Sequence, residues 1–188
     1  MLETIQNSDI ILLRFIHLDL SNPLLDSLCP ILRTKTTWIP LYVCLVYYFW
    51  KYFPRDYIKI ILISIILVSL ADIVCAQLLK PWFHRIRPCQ SEELVYWLRM
   101  FPYCSQTFSF PSCHAVNHAA LAFFIGQFFN IWQRVLLVFW VLLIGFSQLY
   151  IGVHYPSDIL GGIVLGWVFA MCATIICNRW VTSNSRDV

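Results

Sequence analysis

Charged residues are what this sequence has least of: Asp, Glu, Lys and Arg occupy 12% of its 188 positions, against about 25% in soluble globular domains. A water-soluble surface cannot be built at that density. There is no block of Lys and Arg and no basic stripe interleaved with aromatics, and the formal net charge is only +3. Nucleic acid is therefore excluded as a partner. The amino terminus lacks the anatomy of a cleavable signal, since Glu3 and Asp9 interrupt it and no small-residue cleavage site follows a compact apolar stretch. Insertion is expected to rely on the spans themselves. No internal repeat or low-complexity segment appears, so residues 1–188 read as one membrane-embedded domain.

Apolar residues make up 60% of the chain and the mean hydropathy is +0.70. They gather in runs near the roughly 20 residues that cross a hydrocarbon core as helix. The pattern predicts an all-α, polytopic membrane bundle of five to six helices. Residues 3–18 alternate apolar and polar positions, as in a helix lying in the interface. The first crossing is either long and interrupted at residues 33–35 or begins near Thr36, and the second reading is preferred. Further spans are expected at about residues 57–79, 112–130, 132–151 and 156–177, with one polar loop at 80–110 that carries a short helix near residues 92–98.

Of the eight cysteines, Cys44, Cys75, Cys172 and Cys177 lie in apolar runs and read as small buried hydrophobes. Cys89 and Cys104 fall in the polar loop, where a bridge is expected if the compartment is oxidising.

Alternating span direction brings distant polar residues to one membrane face. Lys80 and Arg87, Ser112 and His114, and His154 and Asp158 meet there. By the positive-inside rule, Lys51, Arg55, Arg134, Arg179 and Arg186 hold the opposite face in the cytoplasm. The active face is then expected to look out to the periplasm or exterior of a bacterial inner membrane.

Three segments carry chemistry. Lys80 precedes Arg87-Pro88 at a span end; alone, such a cluster is equally a snorkelling basic pair. Phe110-Pro111-Ser112-Cys113-His114 opens a span, where free amides and the helix dipole hold anions, although ordinary helix starts look the same. His154 and Asp158 stand one helical turn apart, so the carboxylate can meet one imidazole nitrogen and leave the other to attack. Isolated His–Asp pairs more often serve packing.

Together the three segments resemble the type 2 phosphatidic acid phosphatase superfamily, with its Lys-six-Arg-Pro, Pro-Ser-Gly-His-like and Ser-Arg-five-His-three-Asp signature. The ordered match spans a catalytic core at residues 80–158. The resemblance implies that His154 attacks phosphorus, that Asp158 orients it, and that His114 protonates the leaving group and then activates water. It also implies that Lys80, Arg87, Gln148 and the amides around Ser112 and Cys113 hold the phosphoryl oxygens, with no metal or other cofactor. Two positions depart from the pattern: Cys113 replaces a glycine, and Gln148 replaces an arginine and so loses a charge and a bidentate grip.

The expected activity is a membrane lipid phosphatase acting through a phosphohistidine. Undecaprenyl diphosphate is the first choice of substrate, ahead of phosphatidylglycerophosphate, phosphatidate and lipid A phosphate. Gln148 and Cys113 motivate a second class, a lipid-phosphate-binding protein without turnover. The intramembrane Asp72 motivates a third, a lipid transporter, although a hydrogen bond to a neighbouring helix is the commoner use of such a residue. His118, one turn below His114, has no third partner that would make a metal site.

Overall fold

The computed structural model describes residues 2–99 and 104–180, and all its regular elements there are helical. Arg186 and Pro102 fall outside the described residues. The chain runs through α1 (Leu2–Arg14), α2 (Pro23–Arg33), α3 (Ile39–Tyr52), α4 (Tyr57–Ile73), α5 (Lys80–Phe83), α6 (Cys113–Gly126), α7 (Ile131–Tyr150) and α8 (Pro156–Trp180). A π-helical stretch, Val74–Leu79, joins α4 to α5 without a break. By length and composition, Tyr57–Phe83, Ile131–Tyr150 and Pro156–Arg179 can cross a membrane.

The structure departs from these expected elements in places. The second span does not stop at residue 79 but runs on to Phe83. Pro81 has no amide to donate and its ring crowds the carbonyl four residues back; the wider π turn before it absorbs that conflict. The helix ends at His84, whose φ of 48° is left-handed, a common way to stop a helix. The short helix expected near residues 92–98 is also absent. That segment is a run of turns, with Leu94 and Leu98 buried against Leu13 and Tyr155. Anchoring those side chains holds the backbone on the bundle end instead of letting it close a regular helix.

The core centres on α6, which packs against α4, α7 and α8. Small residues permit the closest approach: a Cβ on Gly166 would stand 2.5 Å from the Val116 carbonyl oxygen, so α8 lies backbone to backbone on α6. At 14 residues α6 is shorter than the expected span at 112–130. Residues 127–130 instead form the turn into α7, where Asn130 and Gln133 make a reciprocal capping box. At that end Phe49 and Phe53 meet Phe128 in edge contacts.

The break expected between residues 33 and 36 is present as a 3-10 turn, Lys35–Trp38. α2 begins on Asn22, whose side chain accepts from the Leu25 amide. This helix packs beside α7 at the opposite end from the phenylalanine cluster. Asp26 there accepts from the Tyr150 hydroxyl and pairs with Arg99. His17 accepts from the Arg99 amide at 2.7 Å and donates to the Tyr150 carbonyl at 2.7 Å. The N-terminal helices are thus bolted to the end of the bundle that carries the polar residues.

Cys75 corrects the reading of the cysteines. It is disulfide-bonded to Cys113, with Cα atoms 5.7 Å apart, because the π-helical end of α4 and the first turn of α6 are direct neighbours. Cys89 and Cys104 form the second bridge. Cys177 is a free, buried thiol as expected, and Cys29 is another, whereas Cys44 and Cys172 are free thiols exposed on the outside of the bundle. Asp72 accepts from Asn117 on α6 at 2.6 Å, the helix-to-helix use of an intramembrane carboxylate.

Candidate active site

The site forms where α5, the loop after it, the start of α6, the end of α7 and the start of α8 meet. Residues 151–155 make the tight connection from α7 to α8. Gly152 turns it with φ 76°, and a Cβ there would come within 3.0 Å of Leu98 and 3.2 Å of the His17 ring. Only glycine meets both demands. The turn delivers His154 into the interior at 2% exposure.

Asp158 occupies the third position of α8, fully buried. One carboxylate oxygen accepts from the Tyr155 amide at 2.9 Å, closing the start of the helix. The same oxygen faces His154 Nδ1 at 3.3 Å and accepts from the Ser109 hydroxyl. The other oxygen accepts from Arg85 at 2.6 Å. On the far side of the ring, Arg87 Nη1 lies 3.1 Å from His154 Nε2. A guanidinium can only donate, so Nε2 carries the lone pair and Nδ1 the proton. Burial holds this imidazole down at about 4, with the Asp158 hydrogen bond pulling the other way.

The loop before α6 fixes both cations through its carbonyls. Lys80 donates to the Phe108 carbonyl, and to that of Ser109 at 3.4 Å. Arg87 donates from Nε to the Thr107 carbonyl at 2.7 Å, from Nη2 to the Thr107 hydroxyl at 3.0 Å, and from Nη1 to the Val153 carbonyl at 3.0 Å. Burial, with the charge of Arg33 on α2 next, brings the Arg87 guanidinium down to about 10, still protonated at neutral pH. Lys80 and Arg87 are each 5% exposed, two buried cations held by neighbouring carbonyls of one loop.

Ser112, just before α6, and Gln148, near the end of α7, are fully buried. Neither the Ser112 hydroxyl nor either amide atom of Gln148 has a hydrogen-bond partner among the described residues. Buried polar atoms left this way cost free energy unless a ligand or water completes them. Cys113 stands at the first position of α6, and its side chain is turned into the bridge with Cys75. The amide there can face an anion while the sulfur cannot crowd it. His114 follows, within electrostatic reach of His154 and Arg33, and its carbonyl accepts from His118 Nδ1 at 2.7 Å. His118 packs edge-on against Trp140 with ring centroids 5.0 Å apart; among the described residues no cluster suited to a metal occurs.

The structure therefore brings Lys80, Arg87, Ser112, Gln148, His154 and Asp158 to one end of the bundle, with His114 within electrostatic reach of His154. Sequence reasoning missed Ser109, Thr107 and Asp9, and it weighed Arg85 only as a substitute for the arginine missing at position 148, whereas the structure turns Arg85 to Asp158 and Asp9. Only Arg85 had a signal, its position inside the Lys80–Arg87 segment.

A buried imidazole whose Nε2 lone pair faces Arg87, backed by a carboxylate and with a second buried cation, Lys80, nearby in a membrane-spanning bundle, defines an integral membrane phosphatase. Comparison with known proteins gives the family: the chain belongs to the PAP2 superfamily, whose profile matches residues 57–182, and it is a hydrolase acting on phosphoric esters. It is 31% identical to the lipid A 4'-phosphatase of Bacteroides thetaiotaomicron across 95% of this chain and 83% of that relative. An undecaprenyl-diphosphatase of Sulfolobus acidocaldarius is 27% identical over 56% of this chain and 50% of its own length. The fold matches the PAP2-type phosphatidylglycerolphosphate phosphatase of Bacillus subtilis with a TM-score of 0.68 at 22% identity, covering 94% of this chain and 88% of that one.

Proposed function

We propose that the protein removes a phosphate monoester from a membrane-anchored glycolipid of the lipid A kind, at an active site on the extracytoplasmic face. This reverses the initial order of substrates, in which undecaprenyl diphosphate came first. Similarity to the lipid A 4'-phosphatase extends along nearly the whole chain, whereas similarity to the undecaprenyl-diphosphatase covers about half of it. The Cys89–Cys104 bridge in the loop beside the site supports an oxidising compartment.

The observation that carries the chemistry is the orientation of His154, with Nδ1 on Asp158 and the Nε2 lone pair beside Arg87. Nε2 attacks phosphorus in line with the ester oxygen. As the N–P bond forms, the P–O bond to the sugar breaks, and His114 gives its proton to the leaving alkoxide. His114 then takes a proton from water, whose oxygen displaces His154 and releases inorganic phosphate. Lys80 and Arg87, with the Ser112 hydroxyl and the amides at the start of α6, neutralise the equatorial oxygens, where fixed charge supplies most of the acceleration. Lys80 and Arg87 thus fill the charge-neutralising role of a metal ion, and activity should persist in EDTA.

The test is phosphate release from a panel of detergent-solubilised lipid phosphates by the purified protein and by His154→Ala. Faster release from a lipid A monoester than from undecaprenyl diphosphate, lost in the variant, supports the proposal. Equal release by both proteins overturns the nucleophile. The unpartnered amide of Gln148 favours one second reading, lipid-phosphate binding without turnover, which tight binding with no release would select.

A further inference from the structure

The N-terminal helix reaches the reaction through a single carboxylate. Asp9 on α1 is 4% exposed, although it lies far in sequence from every motif residue. One of its oxygens accepts from the Ser157 amide at 2.8 Å, capping the start of α8. The other accepts from the Ser157 hydroxyl and from Arg85 Nη2 at 2.6 Å. The opposite amino group of that guanidinium, Nη1, donates to Asp158 at 2.6 Å and to the Ser157 hydroxyl at 2.7 Å. Below it lies the Tyr155 ring, with the guanidinium carbon 4.1 Å from the ring centroid.

Two buried carboxylates close to one another repel unless a cation stands between them. Arg85 is that cation, and its planar fork reaches both where a lysine ammonium could not. The Arg85 carbonyl also accepts from the Ser109 amide at 2.7 Å, and the Ser109 hydroxyl in turn donates to Asp158. Arg85 therefore braces Asp158 directly from one side and through Ser109 from the other, and among the described residues its guanidinium bonds to Asp9, Ser157 and Asp158.

We propose that Arg85 and Asp9 are positioning residues for catalysis: Arg85 fixes the Asp158 carboxylate behind His154, and Asp9 fixes Arg85, so that α1 is a working part of the active site. The inference rests on the reading of His154 and Asp158 as the nucleophile and its partner.

The charges facing His154 are Asp158 at Nδ1 and Arg87 at Nε2, with Lys80 and His114 further off. Arg85 and Asp9 act on it only through Asp158. Without Arg85, the full charge of Asp158 falls on the imidazole and raises its proton affinity. Without the charge of Asp9, Arg85 neutralises Asp158 more completely and the proton affinity falls. The two variants thus shift the acid limb of kcat/KM in opposite directions.

The experiment compares wild type, Arg85→Gln, Asp9→Asn and His154→Ala on one lipid phosphomonoester, with kcat, KM and the acid limb measured on monodisperse detergent-solubilised protein. The expected result is a kcat lower by about 10- to 100-fold for Arg85→Gln and less for Asp9→Asn, with KM within about twofold of wild type. The acid limb should rise in Arg85→Gln and not in Asp9→Asn. Unchanged kcat in both variants overturns the proposal. So does a loss of rate that only follows the loss of folded protein, with the acid limb unmoved. If wild type and His154→Ala release phosphate equally, the catalytic reading itself has failed, a result separate from either of these.

Discussion

The Ser109 hydroxyl and the His154 ring share one oxygen of Asp158: the hydroxyl donates to it, and Nδ1 lies 3.3 Å from it. The serine therefore fixes the rotation of the carboxylate about its own axis and, through it, the plane of the imidazole. A hydrogen bond to a charged acceptor is worth about 1.5–3 kcal/mol, or roughly 10- to 100-fold in rate when all of it is felt in the transition state. Ser109→Ala should lower kcat within that range and leave KM nearly unchanged, because the hydroxyl holds Asp158 and lies 3.4 Å from His154 Nδ1, on the side of the ring away from Nε2. Steady-state kinetics on a lipid monoester checks this. An equal rise in KM would mean that Ser109 binds substrate directly.

The pH dependence follows from the burial of His154. Its imidazole is held at about 4, and only the neutral ring can attack. If His154 is the nucleophile, its contribution to activity is present above that value and lost as pH falls through it, well below the pH of about 6.5 at which an ordinary histidine would protonate. The acid limb of kcat/KM, which reports the free enzyme, should lie near pH 4. Two substrates of different phosphate acidity separate their own titration from that of the protein. A limb near 6.5 on both would mean that the free enzyme exposes His154 to water.

The Cys89–Cys104 bridge brackets a contact that matters. Cys89 follows Arg87-Pro88, and Cys104 precedes Thr107, whose carbonyl and hydroxyl both hold Arg87. A loop of this length, with a sequence separation of 15, contributes about 3 kcal/mol when closed. The double variant Cys89→Ser/Cys104→Ser should melt at a lower temperature and show a higher KM, since Arg87 loses its fixed frame. Melting curves and kinetics check both. An unchanged KM would mean that Thr107 is held in place without the bridge.

What was legible in the sequence was whatever physical chemistry writes locally. Long apolar runs gave three of the expected spans because hydrocarbon tolerates little else, whereas Ile39–Tyr52 and Cys113–Gly126 are helices of 14 residues each, shorter than a crossing; the spacing of the three polar segments brought them to one end of the bundle. His154 and Asp158 were readable because one helical turn separates them. The pairing of Arg85 with Asp9 was not, since it spans 76 residues and joins a loop to a helix whose packing no local pattern records. Cys75 was misread for the same reason: inside an apolar run, a bridged cysteine and a free one leave the same trace. The polar and apolar alternation of residues 3–18 was visible, but Asp9, which turns inward, looked like part of the polar face.

Gln148 carries the last prediction. It is fully buried near the end of α7, both ends of its amide lack a partner among the described residues, and the family places an arginine there. A guanidinium at this point would join Lys80 and Arg87, with Arg33 nearby, and an unpaired buried charge costs several kcal/mol. An oxyanion in the site supplies the missing partner, in a bidentate geometry that a single amide cannot match. Gln148→Arg should therefore melt below wild type in oxyanion-free buffer and recover most of the difference in phosphate or orthovanadate, whereas wild type gains less from the same ligand. Turnover on a simple phosphomonoester should rise, by about tenfold for each 1.4 kcal/mol gained in the transition state alone. Thermal melts with and without orthovanadate, together with kcat and KM for both proteins, decide the matter. A variant destabilised equally with and without the oxyanion would show that position 148 does not face the phosphate, and the residue would then leave the site.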